Sequence, residues 1–170
     1  FLEKYSNLND NIHLVKTTTL SESDFFHRND TCNEYPIKLL YVARIERQKG
    51  IFEIIQAVKE INDKGIPIVL NIIGTPDIKD DILDKLFDYA RANGIEELIK
   101  IHGFIPHGPE LFKYFKTSDV FMIASTSEGF PRSIWEAMAN GLPVIATKVG
   151  GIPYLLKHRK HAMLCQPKDH

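Results

Sequence analysis

Short runs of β-branched residues alternate with longer stretches of helical periodicity from Pro36 to the end of the sequence. The runs are almost wholly apolar, as expected of strands covered on both faces. Between residues 50 and 63, Ile51, Ile54, Ile55 and Val58 form the stripe of an amphipathic helix. The predicted strands cover residues 37–43, 67–73, 98–101, 120–124, 143–147 and 162–165, and the predicted helices cover residues 50–63, 77–94, 108–116, 132–140 and 152–157. This alternation predicts an α/β fold, a Rossmann-like parallel sheet flanked by helices.

Composition excludes several classes of protein. The 170 residues carry 21 Lys and Arg against 22 Asp and Glu, and 44% of them are hydrophobic. That hydrophobic content is too high for a disordered chain, and the near-zero net charge does not suit a general nucleic-acid binder. No apolar run reaches the roughly 18–20 residues of a transmembrane helix. The sequence starts at Phe1 without a signal peptide pattern, so we expect a piece of a longer cytoplasmic protein.

The chain divides at about residue 35. Residues 1–35 are polar, and we interpret them as an interdomain linker with one strand at residues 12–17. Residues 36–170 form a single predicted domain that we expect to be truncated at its C-terminus. Cys32 and Cys165 are far apart and form no CxxC pair, so neither a disulfide framework nor a zinc site is indicated.

Two basic residues follow the first predicted strand. Arg44 and Lys49 lie on the loop that leads into the next helix, at the carboxyl end of the strand. Cations beside a helix N-terminus favour an anion site, because the backbone N–H groups and the helix dipole add to their charge. The alternative is a pair of solvated loop charges.

Two carboxylates follow a later buried strand. Glu128 is on the loop, and Glu136 lies within the first turns of the next predicted helix. Carboxylates accept hydrogen bonds from vicinal hydroxyls and therefore suit a polyhydroxylated ligand. The alternative is an exposed loop acid and an acid placed favourably near a helix N-terminus. Both clusters fall at the carboxyl edge of one parallel sheet, so together they predict a nucleotide-sugar site. The sequence contains no Asp-x-Asp that would signal a cation held by carboxylates.

The order of short motifs from Tyr35 to Pro167 resembles the C-terminal half of a family-4 (group 1) glycosyltransferase. The motifs that carry the resemblance occupy residues 42–50, 71–74, 101–105, 118–125, 128–131, 136–146 and 149–151. The resemblance implies a retaining enzyme of the GT-B fold, in which two Rossmann-like domains face each other across a cleft. One departure is Thr75-Pro76, where the family often has a second glycine.

The resemblance also implies roles for individual residues. Arg44 and Lys49 match the pair that grips the donor diphosphate and stabilises it as a leaving group. Glu128 matches the first acid of an E-x7-E signature and, with Arg44 and Lys49, is the predicted catalytic group. The remaining predicted donor contacts are Gly129, Phe130 and Pro131 at the hexose, Glu136 at the ribose and Ile105 at the base. Gly150-Gly151 matches a tight loop near the site, although a simple turn explains it equally well.

The implied ligands are a UDP-, GDP- or ADP-sugar donor, bound without a metal or other cofactor, and a glycan or lipid-linked acceptor. The acceptor site would belong to an N-terminal domain outside this sequence, so we expect this piece alone to be inactive. The alternatives are a binding module without activity and a GT-B nucleotide-sugar epimerase or phosphorylase-like enzyme. Residues 157–161 are a basic run with a His-x-x-His spacing, interpreted as a solvated turn. The alternatives are contact with anionic lipid at the inner face of the membrane, contact with the acceptor, and a metal site.

Overall fold

The computed structural model describes residues 20–77 and 81–167. The strands are β1 (Ile37–Val42), β2 (Ile68–Ile73), β3 (Ile99–Ile101), β4 (Val120–Ile123), β5 (Val144–Thr147) and β6 (Met163–Cys165). The helices are α1 (Ile51–Asp63), α2 (Ile82–Ala92), α3 (Pro109–Thr117), α4 (Arg132–Ala139) and α5 (Ile152–Leu155). The strand at residues 12–17 that the sequence predicts lies outside the described residues.

All six strands are parallel, in the order β3-β2-β1-β4-β5-β6. Leu39 of β1 is in register with Leu70 on one side and with Val120 on the other. The strand order reverses direction between β1 and β4, and in such sheets ligands bind outside the carboxyl ends of the strands at this switch point. The predicted fold class is confirmed.

Successive side chains of β1 point to opposite faces of the sheet, and each face has its own core. Leu40 joins a cluster with Phe115 of α3 and Ile134 of α4, whereas Leu39 joins a cluster with Ile55 of α1. Helices α1 and α2 therefore cover one face, and α3, α4 and α5 cover the other. This two-sided burial explains why the strands are apolar at nearly every position.

Helix α2 begins at Ile82, later than the start near Asp77 that the periodicity predicts. After β2 the chain stays extended, because Ile45 N–H donates to the Thr75 carbonyl at 3.0 Å and Ile45 forms an isolated parallel bridge with Pro76. The loop after β2 is thereby held against the loop after β1. This pairing keeps Thr75 and Pro76 extended directly before the predicted start of the helix.

The segment before β1 packs on the amino edge of the sheet. The Arg28 guanidinium donates to the carbonyls of Phe115 and Ser118 at 2.9 and 2.8 Å, and to that of Asn140 at 3.3 Å. Arg28 also reaches the carbonyl of Lys116, so it satisfies acceptors left open at the ends of α3 and α4.

Asp119 has a structural role directly before β4. Its carboxylate accepts from the backbone N–H groups of Cys32 at 3.1 Å and Lys38 at 2.8 Å. The contact ties the segment before β1 to the neighbouring strand. The part of the predicted linker that the structure describes is thus attached to the domain.

The basic run at residues 157–161 is exposed and forms a turn. Its two histidines hold that turn: His158 Nδ1 accepts from Leu164 N–H at 3.0 Å, and His161 Nδ1 accepts from Lys157 N–H at 3.2 Å. The geometry agrees with a solvated surface turn. Within the described residues, no helix is both long enough and apolar enough to cross a bilayer.

Candidate functional site

The loops that follow β1 and β4 meet backbone to backbone at the switch point. Thr126 N–H donates to the Gln48 carbonyl at 2.9 Å. Gly50 has φ +72°, and a β-carbon there would lie 2.0 Å from the Ala124 carbonyl oxygen. Only glycine permits this approach, so Gly50, the residue directly before α1, also fixes the distance between the two loops.

Lys49 and Glu128 are brought together by this contact. Lys49 Nζ lies 2.7 Å from Glu128 Oε1, and their side chains are 18% and 7% exposed. The same oxygen accepts a 2.7 Å hydrogen bond from the hydroxyl of Ser125, which is fully buried. The Thr147 hydroxyl in turn donates to the Ser125 carbonyl at 2.6 Å. Glu128 Oε1 therefore accepts hydrogen bonds from two donors, Lys49 and Ser125. The buried Thr147 holds Ser125 in place.

The loop after β5 supports Glu128 from its backbone side. Gly151 N–H donates to the Gly129 carbonyl at 2.6 Å, and Gly150 lies directly against Glu128 with φ +54°. Of the two interpretations of Gly150-Gly151, the structure supports the tight loop at the site.

Arg44 does not join the ion pair of Lys49. Its guanidinium is paired with Glu46 at 2.7 Å, with side chains 71% and 16% exposed. The other Glu46 oxygen accepts from Gln48 Nε2 at 3.1 Å, and the Arg44 carbonyl accepts from the Tyr41 hydroxyl at 2.7 Å. Burial raises the pKa of that hydroxyl, and the nearby carboxylates of Glu46 and Glu128 raise it further. Glu46 is a site residue that the sequence analysis missed; the only signal was an acid placed between two cations.

Glu136 lies in the second turn of α4 with its side chain 8% exposed. Burial raises the pKa of its carboxyl, whereas the charges of His107 and Arg132 act in the opposite direction. His107 Nε2 stands 3.6 Å from Glu136 Oε1. His107 reaches this position because the loop after β3 passes the N-terminal part of α4, and sequence reasoning gave it no such role.

Three of the other predicted donor contacts follow Glu128 directly in the chain. Gly129 is exposed, and Phe130 and Pro131 are half-buried ahead of α4. The Phe130 ring packs on Trp135 with 4.6 Å between ring centroids. Ile105 is only 9% exposed and belongs to the core cluster, so its role at the base stays a prediction. His102 bonds Asn71 Oδ1 at 2.9 Å and the Tyr114 hydroxyl at 3.2 Å, in keeping with a structural role.

A hollow in the described part of the surface lies away from these residues. It has a volume of about 800 Å³ and is lined by Pro36, Lys38 and Pro67, at the amino ends of β1 and β2. Its lining contains none of the predicted site residues, so the charged groups rather than this hollow define the candidate site. In the part of the chain that the structure describes, no three His, Cys, Asp or Glu side chains are grouped to hold a metal ion.

Comparison with known proteins agrees with this geometry. The family described as glycosyl transferases group 1 matches residues 22–170. The chain belongs to this family. The group 1 chain is 31% identical over 140 residues to the amylovoran biosynthesis glycosyltransferase AmsK of Erwinia amylovora, covering 79% of this chain and 33% of AmsK. It spans about a third of the length of the curated relatives that it matches.

Solved structures give the same assignment. The C-terminal domain of LpcC, a group 1 glycosyl transferase from Francisella tularensis, superposes with a TM-score of 0.76 at 25% identity, over 88% of this chain and 80% of that domain. HepE of Anabaena, solved in complex with UDP, superposes with a TM-score of 0.70 at 25% identity, over 78% of this chain and 35% of HepE. The group 1 chain therefore has the architecture of a C-terminal domain of this family.

Proposed function

We propose that this chain is the donor domain of a retaining hexosyltransferase and binds a nucleoside diphosphate sugar between the ends of β1 and β4. The observation that carries the proposal is the 2.7 Å contact between Lys49 and Glu128, two residues on different loops. In such a donor the β-phosphate is bonded directly to the anomeric carbon of the sugar. A cation for the diphosphate and a carboxylate for the hexose hydroxyls should therefore be neighbours, as these two are.

The remaining residues extend the proposal along the ligand. Glu136 would accept hydrogen bonds from the ribose hydroxyls, and residues 129–131 would face the hexose. Arg44 would join Lys49 at the diphosphate once it leaves Glu46. Uracil is the first base to test, because HepE is a relative solved with UDP. Ile105 and its loop would lie at the base.

The proposed chemistry is electrostatic. As the anomeric bond breaks, negative charge develops on the departing diphosphate, and the preorganised charges of Arg44 and Lys49 would stabilise it without a metal ion. Glu128 would orient the hexose rather than act as a base. The acceptor, a glycan or a lipid-linked saccharide, would be bound by a domain outside this chain, so the chain alone would bind donor without transferring sugar.

The test is calorimetric titration of the chain with UDP, GDP and ADP, in EDTA and again with Mg²⁺, each as the free diphosphate and as its hexose conjugate. We expect one nucleotide to bind. Lys49→Met should weaken its binding about tenfold or more, since a hydrogen bond to a charged group contributes about 1.5–3 kcal/mol. The matched control is Lys64→Met, which removes an exposed lysine just after α1.

Each outcome has a distinct meaning. Binding that requires a divalent cation would overturn metal independence alone. Equal effects of the two lysine variants would remove Lys49 from the site. Failure of all three nucleotides to bind would overturn donor binding by this chain. Donor binding by the full-length protein without sugar transfer would favour a binding module over an enzyme.

A further inference from the structure

Both cations that the proposed function assigns to the diphosphate are already paired with carboxylates. Lys49 contacts Glu128 and Arg44 contacts Glu46, each at 2.7 Å. The site thus balances two positive charges with two negative charges. A diphosphate that entered this arrangement unchanged would meet no free cation among these four groups.

Each carboxylate also has a second, neutral donor. Ser125 Oγ bonds Glu128, and Gln48 Nε2 bonds Glu46 at 3.1 Å. When the cation leaves, the carboxylate keeps a hydrogen-bond partner, which lowers the desolvation penalty of separating the pair. The arrangement therefore suits exchange of a cation between a carboxylate and a phosphate.

The two pairs differ in how easily they separate. The Arg44 guanidinium is 71% exposed, whereas Lys49 is 18% exposed and Glu128 is 7% exposed. An ion pair with a largely solvent-exposed partner is weak, so Arg44 can be released at small cost. Glu46 itself is 16% exposed and lies close enough to the Tyr41 hydroxyl to raise its pKa, as Glu128 does. Glu46 consequently remains at the site after Arg44 has moved.

We infer that Glu46 is a positioning residue that holds Arg44 in the unliganded site and competes with the donor diphosphate for it. This inference rests on the proposed function, because it requires Arg44 to bind the diphosphate. Glu46 lowers affinity in two ways, by occupying Arg44 and by repelling the phosphates. Its effect is therefore specific to the diphosphate part of the ligand.

The experiment is titration of the wild-type chain and its Glu46→Gln variant with UDP and with uridine, or with the matching guanine or adenine pair if the first titration selects that base. Glu46→Gln should bind UDP about three- to tenfold more tightly. Uridine, which lacks the diphosphate, should bind both proteins equally. Glu97→Gln, an equal charge change at an exposed residue before β3, should leave UDP affinity within twofold.

A second variant separates the two effects. In an Arg44→Gln background, Glu46→Gln should gain less than half as much UDP affinity on a logarithmic scale, because Arg44 is no longer there to be released. An equal gain in both backgrounds would overturn the competition for Arg44. An unchanged or weaker UDP affinity of Glu46→Gln alone, or a matching gain for uridine or in Glu97→Gln, would also overturn the inference.

The proposed function fails in a different way. If the wild-type chain binds no nucleoside diphosphate, the donor site is absent and the inference falls with it. If UDP binds and Arg44→Gln weakens it while Glu46→Gln has no effect, the donor site stands and only the role of Glu46 is lost.

Discussion

A β-carbon on Gly150 would lie 1.6 Å from the backbone carbonyl oxygen of Glu128. No side chain fits there, and φ at Gly150 is +54°, a conformation that L side chains rarely adopt. The loop after β5 therefore fixes the backbone of the proposed hexose carboxylate.

Gly150→Ala should lower the free energy of unfolding by about 2–5 kcal/mol, adding the cost of overpacking to that of the left-handed conformation. Gly65→Ala is the matched control: φ at Gly65 is +75°, but no atom lies within 4 Å of its ideal β-carbon. The control should lose only about 1–2 kcal/mol. Urea unfolding of both variants measures the difference, and equal losses would show that the approach to Glu128 costs nothing.

Ser125→Ala should weaken recognition of the hexose far more than recognition of the nucleotide. The variant removes a buried hydroxyl group that donates a hydrogen bond to Glu128. Affinity for UDP-hexose should fall about tenfold, while affinity for UDP should change far less, since a hydrogen bond to a charged group is worth about 1.5–3 kcal/mol. Thr117→Ala, which removes an exposed hydroxyl at the end of α3, serves as the control. A parallel loss of both affinities would indicate general disruption of the site.

Glu136→Ala tests the ribose contact. Nucleotide affinity should fall roughly tenfold to a hundredfold, because a charge-assisted hydrogen bond is lost. The Tm of the unliganded chain should hardly change, since the carboxylate already carries a desolvation cost. Calorimetric titration and thermal unfolding of the same preparation provide both values. A large fall in Tm with affinity retained would make Glu136 structural.

Glu136→Gln should reveal the cost of burying that carboxylate through its pH dependence. Burial raises the pKa of Glu136 in the folded state, so the wild type loses stability as the pH rises from the ordinary carboxyl value to the raised one. At pH 7.5 the variant should therefore melt at a higher temperature than the wild type. At pH 4 the advantage should disappear, because both side chains are then neutral. An advantage equal at both pH values would exclude ionisation as the cause.

Arg28→Ala tests whether the segment before β1 is part of the domain. Arg28 donates to four main-chain carbonyls, so its loss should reduce the free energy of unfolding by about 2–3 kcal/mol without changing UDP affinity. Arg28→Lys should not restore stability, because an ammonium cannot reproduce the planar array of donors. Arg91→Ala, which removes only exposed ion pairs, should cost less than about 1 kcal/mol. Equal urea midpoints for Arg28→Ala and Arg91→Ala would show that the segment before β1 does not stabilise the domain.

The sequence predicts the sheet well because hydrophobic periodicity and glycine position carry most of the information. Each of the six strands predicted after residue 36 matches an observed one to within a residue or two, and Lys49 and Glu128 meet at the edge that parallel strands and short loops dictate. The close approach of Gly150 to Glu128 fits the tight loop that the resemblance implies.

What escaped prediction depends on partners distant in sequence or on the choice of rotamer. Arg28 lies in a polar stretch typical of a linker, and its role depends on carbonyls about 90 residues away. Whether Arg44 pairs with Glu46 or stays free depends on the path of the loop, which composition does not encode. The bridge between Ile45 and Pro76, a tertiary contact that local periodicity does not encode, keeps the chain extended directly before the predicted start of α2.

The hydrogen bonds of Arg28 lie at the amino ends of the strands, and Lys49 lies at the opposite ends. Strand β1 has six residues, so about 20 Å of sheet separates the two edges. A force applied to the chain just before β1 would therefore act on the domain at the edge opposite Lys49.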